Sequence, residues 1–278
     1  MNSFMNISST CAMPLLSAVA LSLAVLPSLA ASPSLTGKLA CEARSAATRT
    51  AVLELYTSEG CSSCPPADRW VSALPANGFS ADRLIPLAFH VDYWDQLGWP
   101  DRMAKAQFSS RQRIQAQRNR ANLVYTPQLL LNGADYRYSS SGGGFEDRVR
   151  TVNLLPAAAD LHVVQRPTSA GVEIKLDVRL AQSALGQVTQ TYFAITENRL
   201  QSSIKAGENQ GKVLNHDFVV RELVGPLLTG SDGRLQWNSE LALPRDWKRV
   251  DLAFTAFVQD TRSGDILQAL HAPLCANP

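Results

Sequence analysis

The sequence carries little net charge: Lys plus Arg number 26 and Asp plus Glu 24, a formal charge of +2 over 278 residues. So small an excess excludes the broad basic field of a dedicated nucleic-acid binder. Cysteines number 5, too few for a disulfide-built scaffold but enough for a redox or metal site. His90, His162, His216 and His271 are scattered, which excludes finger-type zinc spacing. No repeat of fixed period occurs. What remains is a globular composition, 45% hydrophobic and 18% charged. The length suggests two domains of roughly 100 to 150 residues.

Charge is absent altogether before Lys38, and Met13 to Leu29 is nearly all apolar. Small residues follow at Ser28-Leu29-Ala30 and Leu29-Ala30-Ala31, so residues 1–31 read as a secretory signal peptide. No later run is apolar enough to span a bilayer, so no membrane span is expected after signal cleavage. The expected location is periplasmic or secreted. Removing the leader removes Cys11 and leaves Cys41, Cys61, Cys64 and Cys275, an even number that suits an oxidising compartment. Four cysteines allow three pairings. Cys61 and Cys64 are close enough to pair locally, which leaves Cys41 with Cys275 as a candidate structural disulfide.

After the leader the pattern alternates. Ala51–Tyr56 and Leu84–Val91 read as apolar strands, Gln128–Leu131 as a third closed by Asn132-Gly133, with helices after Cys64, from about Asp101 to Arg120, and around Phe145–Val152. Such alternation predicts an α/β layer over residues 41–156. Ser139–Gly144, glycine- and serine-rich, reads as a mobile loop. Beyond Pro156-Ala-Ala-Ala159 the period becomes two: Val172, Ile174, Leu176 and Val178 alternate with charged residues, and four more short strand candidates follow. Residues 157–278 therefore read as a β-rich, sandwich-like domain.

The chemistry concentrates at Cys61-Ser62-Ser63-Cys64. A helix N-terminus presents unpaired N–H groups and a partial positive charge, which favour a thiolate at the first cysteine. That thiolate attacks a disulfide, and the second cysteine resolves the product. Cys61 is the expected nucleophile and Cys64 the resolver, while Glu59 and Asp68 oppose thiolate formation. The competing readings are an inert disulfide and a soft-metal site, in which Cys61 and Cys64, with His90, would hold Cu(I). Glu54 lies in a strand expected to be central, where a buried carboxylate with a raised pKa could relay a proton to Cys64. The alternative for it is a salt bridge, with Arg49 as a candidate. His90, Asp92 and Asp95 close the second strand, where an α/β sheet places ligand groups. The alternative there is a hydrogen-bonded loop anchored by Tyr93, Trp94 and Trp99. The basic residues Arg102, Lys105, Arg111, Arg113, Arg118 and Arg120 read as a solvated helix face.

The strand, the Cys-x-x-Cys helix, and Thr126-Pro127 before a Leu-rich strand and Asn132-Gly133 together resemble the thioredoxin-like superfamily. The resemblance implies that Pro127 is cis and packs against the cysteine pair, and that the backbone at Thr126 binds an extended substrate. Thr126, Tyr125 and Trp94 are the substrate-binding candidates. Two features depart from thioredoxin itself: Gly60, not Trp, precedes Cys61, and Ser62-Ser63 replaces Gly-Pro. More closely, Glu54–Asp68, Phe89–Asp95, Gly98-Trp99, Arg111–Arg113, Tyr125–Gln128, His216–Gly225 and Phe257–Asp260 resemble a secreted bacterial domain-of-unknown-function family (DUF1223-type) with a thioredoxin-like fold. The implied function is thiol–disulfide exchange with the thiols or disulfides of other exported proteins and with a redox partner. No cofactor and no nucleic-acid partner are implied.

Overall fold

The computed structural model describes residues 40–137 and 144–275; the expected leader and residues 138–143 of the Gly/Ser-rich stretch lie outside the described residues. The described chain is mixed α/β and rich in strands. Its first half runs β1 (Cys41–Arg44), β2 (Ala51–Thr57), α1 (Pro65–Ser72), β3 (Leu84–His90), α2 (Ala106–Arg118), β4 (Gln128–Leu131), β5 (Ala134–Tyr136) and α3 (Phe145–Asn153). Its second half is β6 (Ala159–Pro167), β7 (Gly171–Leu180), β8 (Thr189–Glu197), β9 (Leu200–Ser203), β10 (Val213–His216), β11 (Val219–Leu228), β12 (Arg234–Ala242), β13 (Leu252–Asp260) and β14 (Ile266–Pro273).

Strands β2 and β3 pair in parallel and are buried along their whole lengths, as strands covered on both faces must be. Successive side chains point to opposite faces, which sorts the residues of β2 into two cores. Leu53 and Leu55 pack with Ala67, Val71 and Leu74 of the α1 segment and Val149 of α3. Val52 and Tyr56 pack with Phe89 and with Phe108 of α2. Pro65 and Pro66 open α1, where no intrahelical N–H is lost. The helix expected from Asp101 begins later, at Ala106, because the Asp101 N–H donates to Asp95 and its carboxylate accepts the Met103 N–H, holding that stretch as a loop. The Asn132-Gly133 turn joins β4 to β5 with φ of 51° and 87°. A Cβ at Gly133 would lie 2.0 Å from the Gly264 carbonyl oxygen, so no other residue fits there.

Eight strands form one sheet in the order β14-β13-β8-β11-β3-β2-β4-β5. Strand β3 is its pivot, parallel both to β2 and to β11. A second, antiparallel sheet has the order β1-β6-β7-β12. Its Leu161, Val163, Ile174, Leu176 and Val178 pack against Phe193, Ile195, Phe254, Ala256 and Val258 of the large sheet, a sandwich-like arrangement.

The division expected at residue 156/157 needs correcting. The pattern changes there, but the described residues form one compact unit, and the large sheet takes β2 to β5 from before the boundary and β8, β11, β13 and β14 from after it. Strand β1 also crosses the boundary by pairing with β6. Cys41 and Cys275 form a disulfide with Cα atoms 5.7 Å apart. No helix among the described residues is long and apolar enough to cross a membrane.

Candidate functional site

Strand β2 delivers the chain to Thr57, and a tight loop then leads into α1. The Cys61 N–H donates to the Ser58 carbonyl and the Cys64 N–H to the Cys61 carbonyl, both at 3.2 Å. Cys64 is the residue before the first helical turn, and its carbonyl accepts the N–H groups of Ala67 and Asp68. Cys61 and Cys64 form a disulfide with Cα atoms 5.4 Å apart. Both cysteines have zero exposure, whereas Ser62 and Ser63 between them are exposed. Cys61 Sγ lies 3.3 Å from Ser63 Oγ.

The Thr126–Pro127 bond is cis. Ser63 Oγ donates to the Thr126 carbonyl at 3.5 Å, and Trp94 Nε1 donates to Thr126 Oγ1 at 2.8 Å. A Cβ built on Gly60 would meet Trp94 Cβ at 3.3 Å, so the small residue before Cys61 lets Trp94 close over the loop. Thr126 and Trp94 therefore meet the cysteine loop. Tyr125 is turned aside: its hydroxyl donates to Asp135 and its carbonyl accepts from Gln112. With Ala67, Pro127, Leu129, Tyr136 and Arg137 it lines a shallow groove beside α1.

Glu54 is not brought to the cysteines. It shares a face of β2 with Val52 and Tyr56, while α1 packs on the other face. Its carboxylate accepts from Arg111 Nε and Nη2, both at 2.8 Å, and from the Tyr56 hydroxyl at 2.7 Å. The expected salt-bridge alternative is thus realised, but with Arg111; Arg49 pairs with Asp265 instead. Arg111 is 5% exposed and lies under the rings of Tyr192 and Phe257, which corrects its placement on a solvated face.

A different set of buried titratable groups surrounds the cysteine loop. Asp68, one helical turn beyond Cys64, accepts from Thr57 Oγ1 at 2.8 Å, and burial raises its pKa. Glu59 accepts from Trp99 Nε1 at 2.8 Å, and its Oε1 lies 3.3 Å from His216 Nε2. Burial alone would raise the Glu59 pKa; the neighbouring His216, with Ser202 and the Trp99 donor, outweighs it and holds the carboxyl below its ordinary range. Asp101 Oδ2 sits 2.6 Å from His90 Nδ1 and accepts the Glu59 N–H at 2.9 Å. Burial opposes ionisation of Asp101, but His90 and the two backbone donors bring its pKa down to about 2. Burial disfavours the charged form of His90 too, and Asp101 more than compensates, so its pKa is raised.

His90 is therefore held by Asp101 and stacks edge-on to His216, with ring centroids 5.0 Å apart. No group of three or more His, Cys, Asp or Glu among the described residues is placed to hold a metal ion. The expected loop anchors are present: Tyr93 donates to Gln112, Trp94 to Thr126 and Trp99 to Glu59.

Sequence reasoning missed two residues of the β9–β10 connection. Asn209 has zero exposure, and its Nδ2 donates to the carbonyls of Glu59 at 2.8 Å and Cys61 at 3.0 Å. Glu208 Oε2 accepts the Ser62 N–H at 3.0 Å. Both sit in a polar stretch without periodicity, and no local pattern marks them.

A search of curated proteins found no match. Among solved structures, the chain is similar to a crystallographically determined protein of Agrobacterium tumefaciens, at 25% identity and a TM-score of 0.58, covering 83% of this chain and 96% of that one. It also shares its fold with HBP35 of Porphyromonas gingivalis, at 14% identity and a TM-score of 0.63, covering 83% of this chain and 76% of the other. The profile of the family described as "Protein of unknown function (DUF1223)" matches residues 52–259, and the chain belongs to that family.

Proposed function

We propose that this is an exported thioredoxin-like protein that exchanges its Cys61–Cys64 disulfide with the thiols of other exported proteins. The observation that carries the reading is a disulfide at the N-terminus of α1 beside the cis Thr126–Pro127 bond. In the exchange, a partner thiolate attacks Cys61 Sγ, the Cys61–Cys64 bond breaks, and Cys64 leaves as a thiolate that takes up a proton. A second partner thiolate then attacks the partner's own sulfur in the mixed disulfide. Cys61 leaves and is protonated. The partner dithiol is oxidised to a disulfide, and the Cys61–Cys64 pair is reduced to two thiols. The helix N-terminus favours the Cys61 thiolate, whereas Glu59 and Asp68 oppose it. Two disulfides, and no membrane-crossing helix among the described residues, are compatible with a soluble protein of an oxidising compartment.

A second reading has a specific observation in its favour: zero exposure of both sulfur-bearing residues suits a locked, structural pair. A glutathione redox titration of the mature chain, with alkylation and mass spectrometry at each cysteine, separates the two. Reversible titration of the pair at roughly −120 to −270 mV supports exchange. A pair still oxidised well below about −300 mV makes it structural.

A further inference from the structure

Strands β9 and β10 form a two-stranded sheet of their own, hydrogen-bonded to neither of the larger ones. The connection between them, residues 204–212, reaches over the cysteine loop. Its own frame is short-range: Ile204 N–H donates to the Lys212 carbonyl, Gly211 N–H to the Ile204 carbonyl, Gln210 N–H to the Gly207 carbonyl, and Lys212 N–H to the Asn209 carbonyl. Gly207 and Gly211 both have positive φ, at 74° and 81°. From Lys205 to Lys212 only Asn209 is buried. Ile204 is buried where the connection leaves β9, but from Lys205 on no apolar side chain is, so the remainder is held down chiefly by polar contacts, which characterises segments that open at low cost.

Those contacts fall on backbone groups flanking Cys61. The carbonyls of Glu59 and Cys61 accept from Asn209, and the Ser62 N–H is accepted by Glu208. Two carbonyl acceptors and one N–H donor are what the backbone of an extended polypeptide can pair with. Lys212 Nζ donates to Asn209 Oδ1 at 2.9 Å and fixes the orientation of the amide. Gly207 packs against the Gly98-Trp99 turn, where a Cβ on Gly207 would meet Trp99 Cβ at 3.1 Å.

We propose that residues 205–212 are a displaceable cover over the Cys61–Cys64 disulfide, anchored at the buried Ile204 and occupying the backbone groups that an extended, cysteine-bearing polypeptide partner takes when it displaces them. This rests on the exchange reading above. It also accounts for a reactive pair with no exposure: attack on Cys61 requires the cover to lift.

The test measures the rate at which dithiothreitol reduces the pair in the mature chain, quenched by a mass-tagged alkylating reagent. Wild type, Asn209→Ala and Glu208→Ala are compared. Loss of the two buried bonds of Asn209 should accelerate reduction about tenfold, and loss of the single exposed bond of Glu208 about threefold. Variants that are folded by circular dichroism yet reduced at the wild-type rate overturn the cover and leave the exchange reading standing. A pair that stays oxidised in all three chains well below about −300 mV overturns the exchange reading, and the cover with it. Should Asn209→Ala fail to fold, Glu208→Ala decides alone, because that side chain lies on the surface.

Discussion

Cys41–Cys275 joins residues 234 apart in sequence, whereas Cys61–Cys64 joins residues 3 apart. The long-range bond ties the strand that opens the small sheet to the segment after β14. Its immediate hydrogen-bonding neighbour is neutral, Gln165, which accepts the Cys275 N–H and donates to the Pro273 carbonyl. The short-range bond lies among Glu59, Asp68, His90, Asp101 and His216, under a polar cover. A cross-link stabilises mainly by restricting the unfolded chain, and its effect grows with the loop it closes. The first bond is placed for stability. The second closes almost no loop and is surrounded by groups that respond to charge.

The largest expected effect tests the first half of that contrast. Replacing Cys41 and Cys275 together by Ala should lower the unfolding free energy by about 5 kcal/mol, read from urea denaturation. A loss below about 2 kcal/mol would remove the distinction between the two bonds.

The next effect asks whether the buried ion pair on the other face of β2 acts on the Cys61–Cys64 pair. Arg111→Ala strands the Glu54 carboxylate, which is fully buried, and should cost about 4 kcal/mol. The Cys61–Cys64 midpoint should stay at its wild-type value, because Glu54 and α1 lie on opposite faces of the strand. A shifted midpoint would reinstate Glu54 as a group that acts on the cysteines.

A third effect concerns pH at the Cys275 end. Burial pushes His271, whose Nδ1 lies 3.0 Å from Thr255 Oγ1, down from 6.5 to about 4. A histidine with a depressed folded pKa favours the neutral form in the fold. Its cost is absent above pH 6.5, grows as the pH falls, and is complete below about 4. Allowing for partial exposure, this amounts to about 2 kcal/mol. His271→Asn should remove that part of the acid loss in melting curves taken from pH 7 to pH 4.

Much of the frame was legible because it is written locally. The apolar runs of β2, β3 and β4, the alternation of β7, and Asn132-Gly133 at a turn needing two positive φ values each announce themselves within a few residues. Strand β1 does not, because Cys41-Glu-Ala-Arg44 becomes a strand only by pairing with β6, more than a hundred residues on. Arg111 looks like its basic neighbours in sequence; only the tertiary fold puts Glu54 and three aromatic rings around it. The misplacement of Glu54 could have been avoided, since period two already sets it opposite Thr57, the strand residue that faces Asp68. Asn209 could not have been found, because its partners lie some 150 residues upstream.

The smallest effect decides what the short bond is for. Closing a loop of three residues should contribute about 1.5 kcal/mol on the same chain-entropy reasoning that gives about 5 for the long one. Cys61→Ala with Cys64→Ala removes the bond without burying new hydroxyls; besides the packing of two buried sulfurs it forfeits the weak contact of Cys61 with Ser63. The double variant should therefore unfold at a urea concentration close to that of wild type while losing all exchange with a dithiol probe. A loss near that of the Cys41–Cys275 variant would show that the pair, its buried carboxylates and the Asn209 cover act together as a staple. In that case the polar groups around it hold a loop in shape rather than tune a reactive thiol. A small loss leaves stability unable to explain why two cysteines stand at the head of α1, and reactivity is then the property their surroundings serve.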